Sequence, residues 1–339
     1  MKADAQARAP LRLGFAGLGW IGLHRMKALI DSGEAEAAIL CDPSQDAIAR
    51  AENCAPGAHV VHCFEELLIG ELDGLVIATP SAQHAAQAIA ALNAGVPVFC
   101  QKPLGRTSTE ARAAVDAAVR ADRLLGVDFS YRFTQAAQAI RSLIRAGELG
   151  EIFACDLNFH NAYGPDKPWF HDVAQSGGGC VMDLGVHLID LALWMLPDAR
   201  VIDVDAELFR RGERLARPPL CVEDYSMAHL RLTTGAVVRI ACSWNLHAGR
   251  DAVIGAAFHG TRGGACMRNI HGSFYDFAAE KFTGTQTHIL CDSPDAWGGR
   301  AALEWARRLE SSPEFDPEAR NFVRVAKVVD AVYGRPAAY

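Results

Sequence analysis

Gly17-Leu18-Gly19-Trp20-Ile21-Gly22 is a GxGxxG run set between a short apolar segment, Leu11 to Ala16, and a helical one. Its chemistry would be main-chain chemistry. Gly17 permits a tight turn, Gly19 lets backbone N–H groups approach a pyrophosphate, and Gly22 lets the following helix pack closely on the strand. Trp20 and Ile21 open that helix, whose N-terminus supplies further donors to phosphate. Asp42 ends the second strand about twenty positions beyond Gly22, where a carboxylate accepts bonds from both hydroxyls of an adenosine ribose. Pro43 and Ser44 follow without an arginine, so a 2′-phosphate would meet unbalanced negative charge, and NAD is favoured over NADP. The plainer alternative, a glycine turn with Asp42 as a helix cap, explains each residue singly but not their agreement.

These residues need a scaffold, and the apolar periodicity predicts one. Ile21 to Ile30 carries Leu23, Met26, Leu29 and Ile30 at helical spacing. Strand-like runs recur at Ala37 to Cys41, Gly74 to Thr79, Val96 to Cys100 and Leu124 to Phe129. Helices lie between them: one through Ala85 to Asn93 closed by Gly95, another over Ala111 to Ala121 opened by Thr107 and Glu110 at capping-box spacing. Such alternation requires crossovers, hence a mostly parallel sheet covered on both faces, an α/β Rossmann domain over residues 11–130.

After a helix at Gln135 to Ala146 the rhythm turns strand-rich, at Glu151 to Phe159, Val201 to Phe209, Ser226 to Leu232, Ala236 to Ser243 and Ala252 to Phe258. Thr234 and Gly235 mark a hairpin turn. Only Gly179 to Leu196, Ala301 to Leu309 and Pro317 to Val332 read as helical there. Residues 131–339 are therefore expected to form an α+β domain with a large, mostly antiparallel open sheet that binds substrate and makes oligomer contacts. The C-terminal helix 317–332 is free to pack back on the first domain.

With 339 residues the chain exceeds one ordinary core. A net charge of −7 and scattered Lys and Arg argue against nucleic-acid binding. Residues 1–10 are expected to be a mobile tail without the apolar core of a signal peptide, and no run suggests a membrane span, so a cytoplasmic location is expected. The ten cysteines lack CxxC spacing and read as structural thiols in a reducing compartment. No metal is expected: Asp190, His171 and Asp172 show no convincing ligand spacing.

Beyond the glycine turn the chain carries Ala78-Thr79-Pro80-Ser81-Ala82-Gln83-His84, Cys100-Gln101-Lys102-Pro103-Leu104, Tyr131-Arg132-Phe133, and Gly177-Gly178-Gly179 leading to Asp183-Leu184-Gly185-Val186-His187. In this order, over about residues 11 to 260, the set resembles the Gfo/Idh/MocA family of oxidoreductases. The resemblance implies NAD(P) and substrate meeting between two domains, and oxidation or reduction of a sugar, a cyclic polyol or a derivative of one.

It also implies roles. Thr79 and Pro80 would lie along the cofactor, with His84 either touching it or packing at a helix start. Lys102, at a strand's carboxyl end, would orient the reacting hydroxyl, contact the nicotinamide ribose and stabilise alkoxide charge. Asp183 and His187 are four residues apart and would share a helix face, His187 as general base and Asp183 supporting it. The family's usual Glu-Lys-Pro is Gln101-Lys102-Pro103 here, which keeps an acceptor for the cofactor but removes a charge beside the lysine. Tyr131, Arg132, Tyr163 and Trp169 suit a sugar ring, or equally core packing.

The combined expectation is an NAD(H)-dependent oxidoreductase acting on a secondary alcohol or ketone of a sugar, inositol or related polyol. A glycosidase or dehydratase that oxidises its substrate transiently, and a nucleotide-binding sensor without turnover, are the rivals. Ala236, Val238, Ile240 and Cys242 alternate along one strand and are expected to pack against another subunit, in a homodimer or homotetramer.

Overall fold

The computed structural model describes residues 9–336, so the expected tail lies outside it apart from Ala9 and Pro10, both exposed. In the first half, short apolar strands alternate with helices: β1 (Leu11–Ala16), α1 (Trp20–Asp31), β2 (Ala35–Cys41), α2 (Gln45–Cys54), β3 (His59–Val61), α3 (Phe64–Leu67), β4 (Gly74–Ile77), α4 (Ser81–Asn93), β5 (Val98–Cys100), α5 (Ser108–Ala121) and β6 (Leu125–Val127). The strands are parallel in the order β3-β2-β1-β4-β5-β6. Leu13, Phe15, Leu75, Val76, Ile77, Val98 and Phe99 are buried, as strands covered on both faces must be. The order reverses between β1 and β4, which opens a crevice at their carboxyl ends.

The second half contains α6 (Gln135–Arg145), β7 (Ile152–Asn161), α7 (Val173–Ser176), α8 (Val186–Met195), β8 (Val201–Arg210), β9 (Glu213–Arg214), β10 (Tyr225–Leu232), β11 (Val237–Ser243), β12 (Ala252–Gly260), β13 (Gly264–Asn269), β14 (Phe277–Thr283), β15 (Gln286–Cys291), α9 (Arg300–Ser311) and α10 (Arg320–Val332). Its nine strands run β15-β14-β13-β12-β7-β11-β10-β8-β9, antiparallel except where β7 meets β11. β13, β14 and β15 were not expected. β15 is largely exposed and runs polar over Gln286 to His288, then apolar over Ile289 to Cys291, so it carries none of the alternation by which a half-buried strand is read.

Burial alternates along β10, and along β11 as far as Cys242. Ala236, Val238, Ile240 and Cys242 all point inward, where the chain's own helical layer covers them; Cys242 Sγ lies 3.8 Å from Cys180 Sγ. The expectation that this stripe meets another subunit is therefore corrected. The outer face instead carries Met227, Val237 and ion pairs such as Arg239 with Asp156. At the centre of the covered face α8 is apolar on every side except at His187 and Asp190, and all of its residues are buried. The run 173–195 has the length and apolarity of a membrane span, but here it is core.

Two C-terminal helices return to the first sheet. α10 lies against both α5 and α8, and the Asp330 carboxylate accepts the Ser108 N–H at 2.8 Å. α9 packs on α1, with Trp305 seated over Gly74 and Gly126. A Cβ on either glycine would approach the indole to 2.7 Å.

Candidate functional site

The crevice begins at the glycine turn. Gly17 has φ +86, and a Cβ there would lie 2.5 Å from the Ala78 carbonyl; one on Gly22 would lie 2.0 Å from the Gly17 oxygen. A Cβ on Gly19 would instead point into open space. The turn is thus closed toward the protein and open toward a ligand. No side chain caps the N-terminus of α1 and no acid stands in its first turn, so its donors are left for an anion. Asp42 accepts Leu18 N–H at 2.6 Å and Ser44 N–H at 2.8 Å, which anchors the carboxylate beside the turn with lone pairs to spare. Trp20 is 67% exposed, and Ile21 is half-buried beside it. These residues fit a dinucleotide.

Thr79 and Pro80 close β4, and the Thr79 hydroxyl donates to Gln87 at 2.6 Å. His84 does not face the cofactor groove. It is 2% exposed, with Nδ1 2.7 Å from the Pro103 carbonyl and Nε2 2.6 Å from the Thr79 carbonyl. With both ring nitrogens occupied, His84 ties the β4 turn to the Lys102-Pro103 turn, and the packing reading replaces the contact reading.

Lys102 stands after β5, and its ammonium donates to Asp183 Oδ1 at 2.8 Å and to the Asp183 carbonyl at 2.7 Å. Asp183 Oδ2 accepts the Trp244 indole N–H at 3.1 Å. The expected regular helix over Gly179 to Leu196 instead starts with a π-helical turn, Val181–Gly185, which leads into α8. That insertion separates Asp183, at the rim, from His187, which is 8% exposed.

His187 meets the Tyr131 ring edge-on at 4.9 Å and borders an apolar recess lined by Phe159, Ile254 and Met267. Burial, then the Lys102 and Arg25 charges, hold its pKa well below the ordinary histidine value, and Nδ1 has no hydrogen-bond partner among the described residues. The imidazole is neutral. Tyr131 also packs edge-on against Phe159 and lies 5.0 Å from Trp297.

Arg132 is drawn elsewhere. Its guanidinium grips the buried Asp190 carboxylate with two donors, Nε at 2.7 Å, and lies over the Phe129 and Trp194 rings. The expected substrate contact is therefore a structural one, and Asp190 is spent in the same pair. Tyr163 is half exposed, 6.1 Å from Phe274, and Trp169 stacks on Phe170 at 3.8 Å. Phe170 and His171 in turn meet Trp244 edge-on, so this loop reaches Asp183 through the Trp244 indole.

Two family models match the chain, an oxidoreductase family with an NAD-binding Rossmann fold over residues 11–129 and the GFO/IDH/MocA C-terminal domain over 137–266. The chain belongs to the Gfo/Idh/MocA family. It is 25% identical to D-glucoside 3-dehydrogenase of Escherichia coli (strain K12), across 97% of this chain and 96% of that protein. It is 26% identical to inositol 2-dehydrogenase 4 of Saccharopolyspora erythraea, across 94% and 86%. A levoglucosan dehydrogenase solved with NADH and L-sorbose has the same fold, with TM-score 0.81, 22% identity and coverage of 95% of each chain. Like its relatives, this Gfo/Idh/MocA member is an NAD(P)-dependent oxidoreductase.

Several residues around the site of this family member had no signal in the sequence. Glu223, wholly buried between β9 and β10, accepts N–H bonds from Gly179 at 2.9 Å and Val181 at 2.8 Å, and the Tyr333 hydroxyl at 2.9 Å. It caps the glycine-rich start of the Asp183 turn from within the protein. A Cβ on Gly179 would lie 1.9 Å from the Glu223 carbonyl, so close approach is what that glycine supplies. Trp244 at the end of β11, and Arg25 with Asp128, are likewise brought in only by the fold. Trp244 follows a strand end as Lys102 does, the one positional cue that was available.

Proposed function

We propose that the chain oxidises or reduces a secondary alcohol or ketone of a sugar, inositol or related polyol, with NAD rather than NADP as cofactor. The observation that carries this reading is the pairing of Lys102 with Asp183 at the carboxyl edge of the first sheet, beside a buried, neutral His187. The names of the relatives, a glucoside and an inositol dehydrogenase, support the substrate class.

The glycine turn, Asp42, the Thr79-Pro80 turn, Gln101 and Lys102 would hold the dinucleotide, which when bound supplies a hydride acceptor or donor at its nicotinamide ring. His187 is uncharged at neutral pH and receives the hydroxyl proton during oxidation. Lys102 keeps one of its three donors free of Asp183 and directs it at the substrate oxygen, where negative charge develops. Asp183, steadied by Trp244, neutralises the lysine and accepts from a neighbouring hydroxyl. Tyr131, Tyr163 and Trp169 offer faces to the ring of the substrate. The absence of a cation at Asp42 supports NAD.

A panel of sugars, inositols and their acids, run with NAD and NADP separately while cofactor absorbance and product are both followed, tests this. Turnover with NAD and at least one polyol, and a matching yield of ketone, is expected. Product without net NADH, or tight NADH binding with no turnover on any polyol, would overturn it.

A further inference from the structure

A second buried charge cluster adjoins the Lys102 turn. Arg25, on α1, is 5% exposed and donates from Nε to Asp128 Oδ2 at 2.6 Å. Asp128, directly after β6, is 1% exposed, and its buried Oδ1 has no hydrogen bond among the described residues. Gln101, 7% exposed and one residue ahead of Lys102, donates its side-chain amide to the same Asp128 Oδ2. One carboxylate therefore serves a guanidinium from α1 and an amide from the turn that presents Lys102. Arg25 is also one of the two cations that keep His187 neutral.

We propose that positions 101 and 128 share a single charge site: the pocket holds one carboxylate against Arg25, Asp128 carries it, and Gln101 is uncharged because its neighbour is charged. The physical reason is local. Two carboxylates at hydrogen-bond distance cannot both stay ionised, whereas a carboxylate and an amide bond directly. A pocket with neither would leave Arg25 buried and unpaired. This gives the glutamine at the place of the motif's glutamate a local reason: the neighbouring strand end already supplies the carboxylate that Arg25 needs. Asp128 is a positioning residue, acting through Gln101 on the turn that would hold the dinucleotide and on His187 through Arg25, so the inference rests on the roles given above to Gln101, Lys102 and His187.

The ionisable groups facing this site are Arg25 and His24 on α1, Cys100 on β5, Lys102 after it, and His187 on α8, Tyr131 and Tyr275, which feel Arg25; burial keeps both tyrosines as phenols. Burial favours the neutral form of His24 and His187 and keeps Cys100 a thiol. A new titration near neutral pH is thus traceable to an added carboxyl.

The test is a double-mutant cycle of Gln101→Glu, Asp128→Asn and the two combined in the full chain, read by NADH fluorescence titration from pH 6 to 9 and by thermal midpoint. Each single change should weaken NADH binding at pH 8 by about tenfold or more, and the combination should return to within about threefold of wild type. Gln101→Glu alone should regain affinity as pH falls toward 6, when a proton shared between the two carboxyls removes their repulsion. An additive combination, or a Gln101→Glu variant with wild-type affinity at all pH values, overturns the proposal. If a single variant does not fold, the combined variant decides: wild-type melting and NADH binding support the shared site, and failure to fold overturns it. These readouts need no substrate, so a polyol panel without turnover would remove the proposed reaction and leave the coupling between positions 101 and 128 intact.

Discussion

The Lys102 ammonium is held by two oxygens of one residue, the carboxylate of Asp183 at 2.8 Å and the main-chain carbonyl of Asp183 at 2.7 Å. The partner is fixed in turn, because the indole N–H of Trp244 binds the other carboxylate oxygen at 3.1 Å. A lysine with two donors committed to a held acceptor has little rotational freedom left. Its third N–H is aimed rather than searching, which is the preorganisation that stabilises developing charge.

Lys102→Met keeps most of the side-chain volume and removes that donor. Turnover on the polyol found by screening should fall by about 10² to 10³-fold, while NADH affinity, to which Lys102 is one contact among several, should fall by no more than about tenfold. Lys102→Arg should not rescue, since a planar guanidinium cannot reproduce both contacts to Asp183. Steady-state rates alongside NADH titration check this, and a Met variant within about tenfold of wild type would remove Lys102 from the chemistry.

His187 sets the acid side of the pH dependence. Burial comes first among the causes, followed by Lys102 and Arg25, and all three lower its pKa. The acid limb of kcat/KM is therefore expected below the value of about 6.5 for a free histidine. For stability the sign follows from proton counts. Below about 6.5 the unfolded chain binds a proton at this residue and the folded one does not, so the contribution is complete above that pH and is lost as pH falls toward the lowered folded value. In His187→Gln the loss of urea stability between pH 6.5 and 5 should be shallower than in wild type, by at most about 1.4 kcal/mol per pH unit. Equal slopes would mean that His187 takes up its proton as readily in the folded protein as in the unfolded chain, and would remove the burial argument.

The fold class was readable, and candidate site residues could be named, because their signals are local. A glycine turn between an apolar strand and a helix, Asp42 at the next strand end, and Lys102 and the Asp183/His187 pair at motif spacing each lie within one short segment. Edge strands such as β15, largely exposed and with its polar and apolar residues in two blocks, lack the alternation that marks a half-buried strand. Contacts across the chain were unreadable for a different reason. Arg132 with Asp190, Glu223 with Gly179, and Trp305 over Gly74 are each a residue of ordinary type whose partner lies more than forty positions away. His84 shows the limit from the other side: its motif position was right, but only the two carbonyls around it reveal that it braces the turns.

Glu223 gives a stability prediction separate from chemistry. It accepts two backbone N–H groups at the start of the Asp183 turn and the Tyr333 hydroxyl beyond α10. Tyr333→Phe removes one charge-assisted bond and should cost about 2 kcal/mol. Glu223→Ala strands all three donors in the interior and should cost on the order of 3–5 kcal/mol. Urea unfolding at unchanged m-value measures both. The Phe variant should retain NADH binding, because the glycine turn and Asp42 lie in the other sheet.

Asp42 is the residue on which the cofactor preference turns. Its carboxylate is pinned by Leu18 N–H at 2.6 Å and Ser44 N–H at 2.8 Å, so it cannot swing away from an incoming 2′-phosphate, and neither Pro43 nor Ser44 brings a cation. NAD should therefore be used at least about a hundredfold better than NADP, measured as kcat/KM, since a phosphate would face a fixed like charge. Asp42→Ala removes both the ribose acceptor and the repulsion. NAD affinity should fall about tenfold, NADP affinity should hold or rise, and the ratio between them should collapse. If the alanine variant lost affinity for both dinucleotides equally, Asp42 would be holding the shape of the turn through Leu18 and contributing nothing to the choice of cofactor.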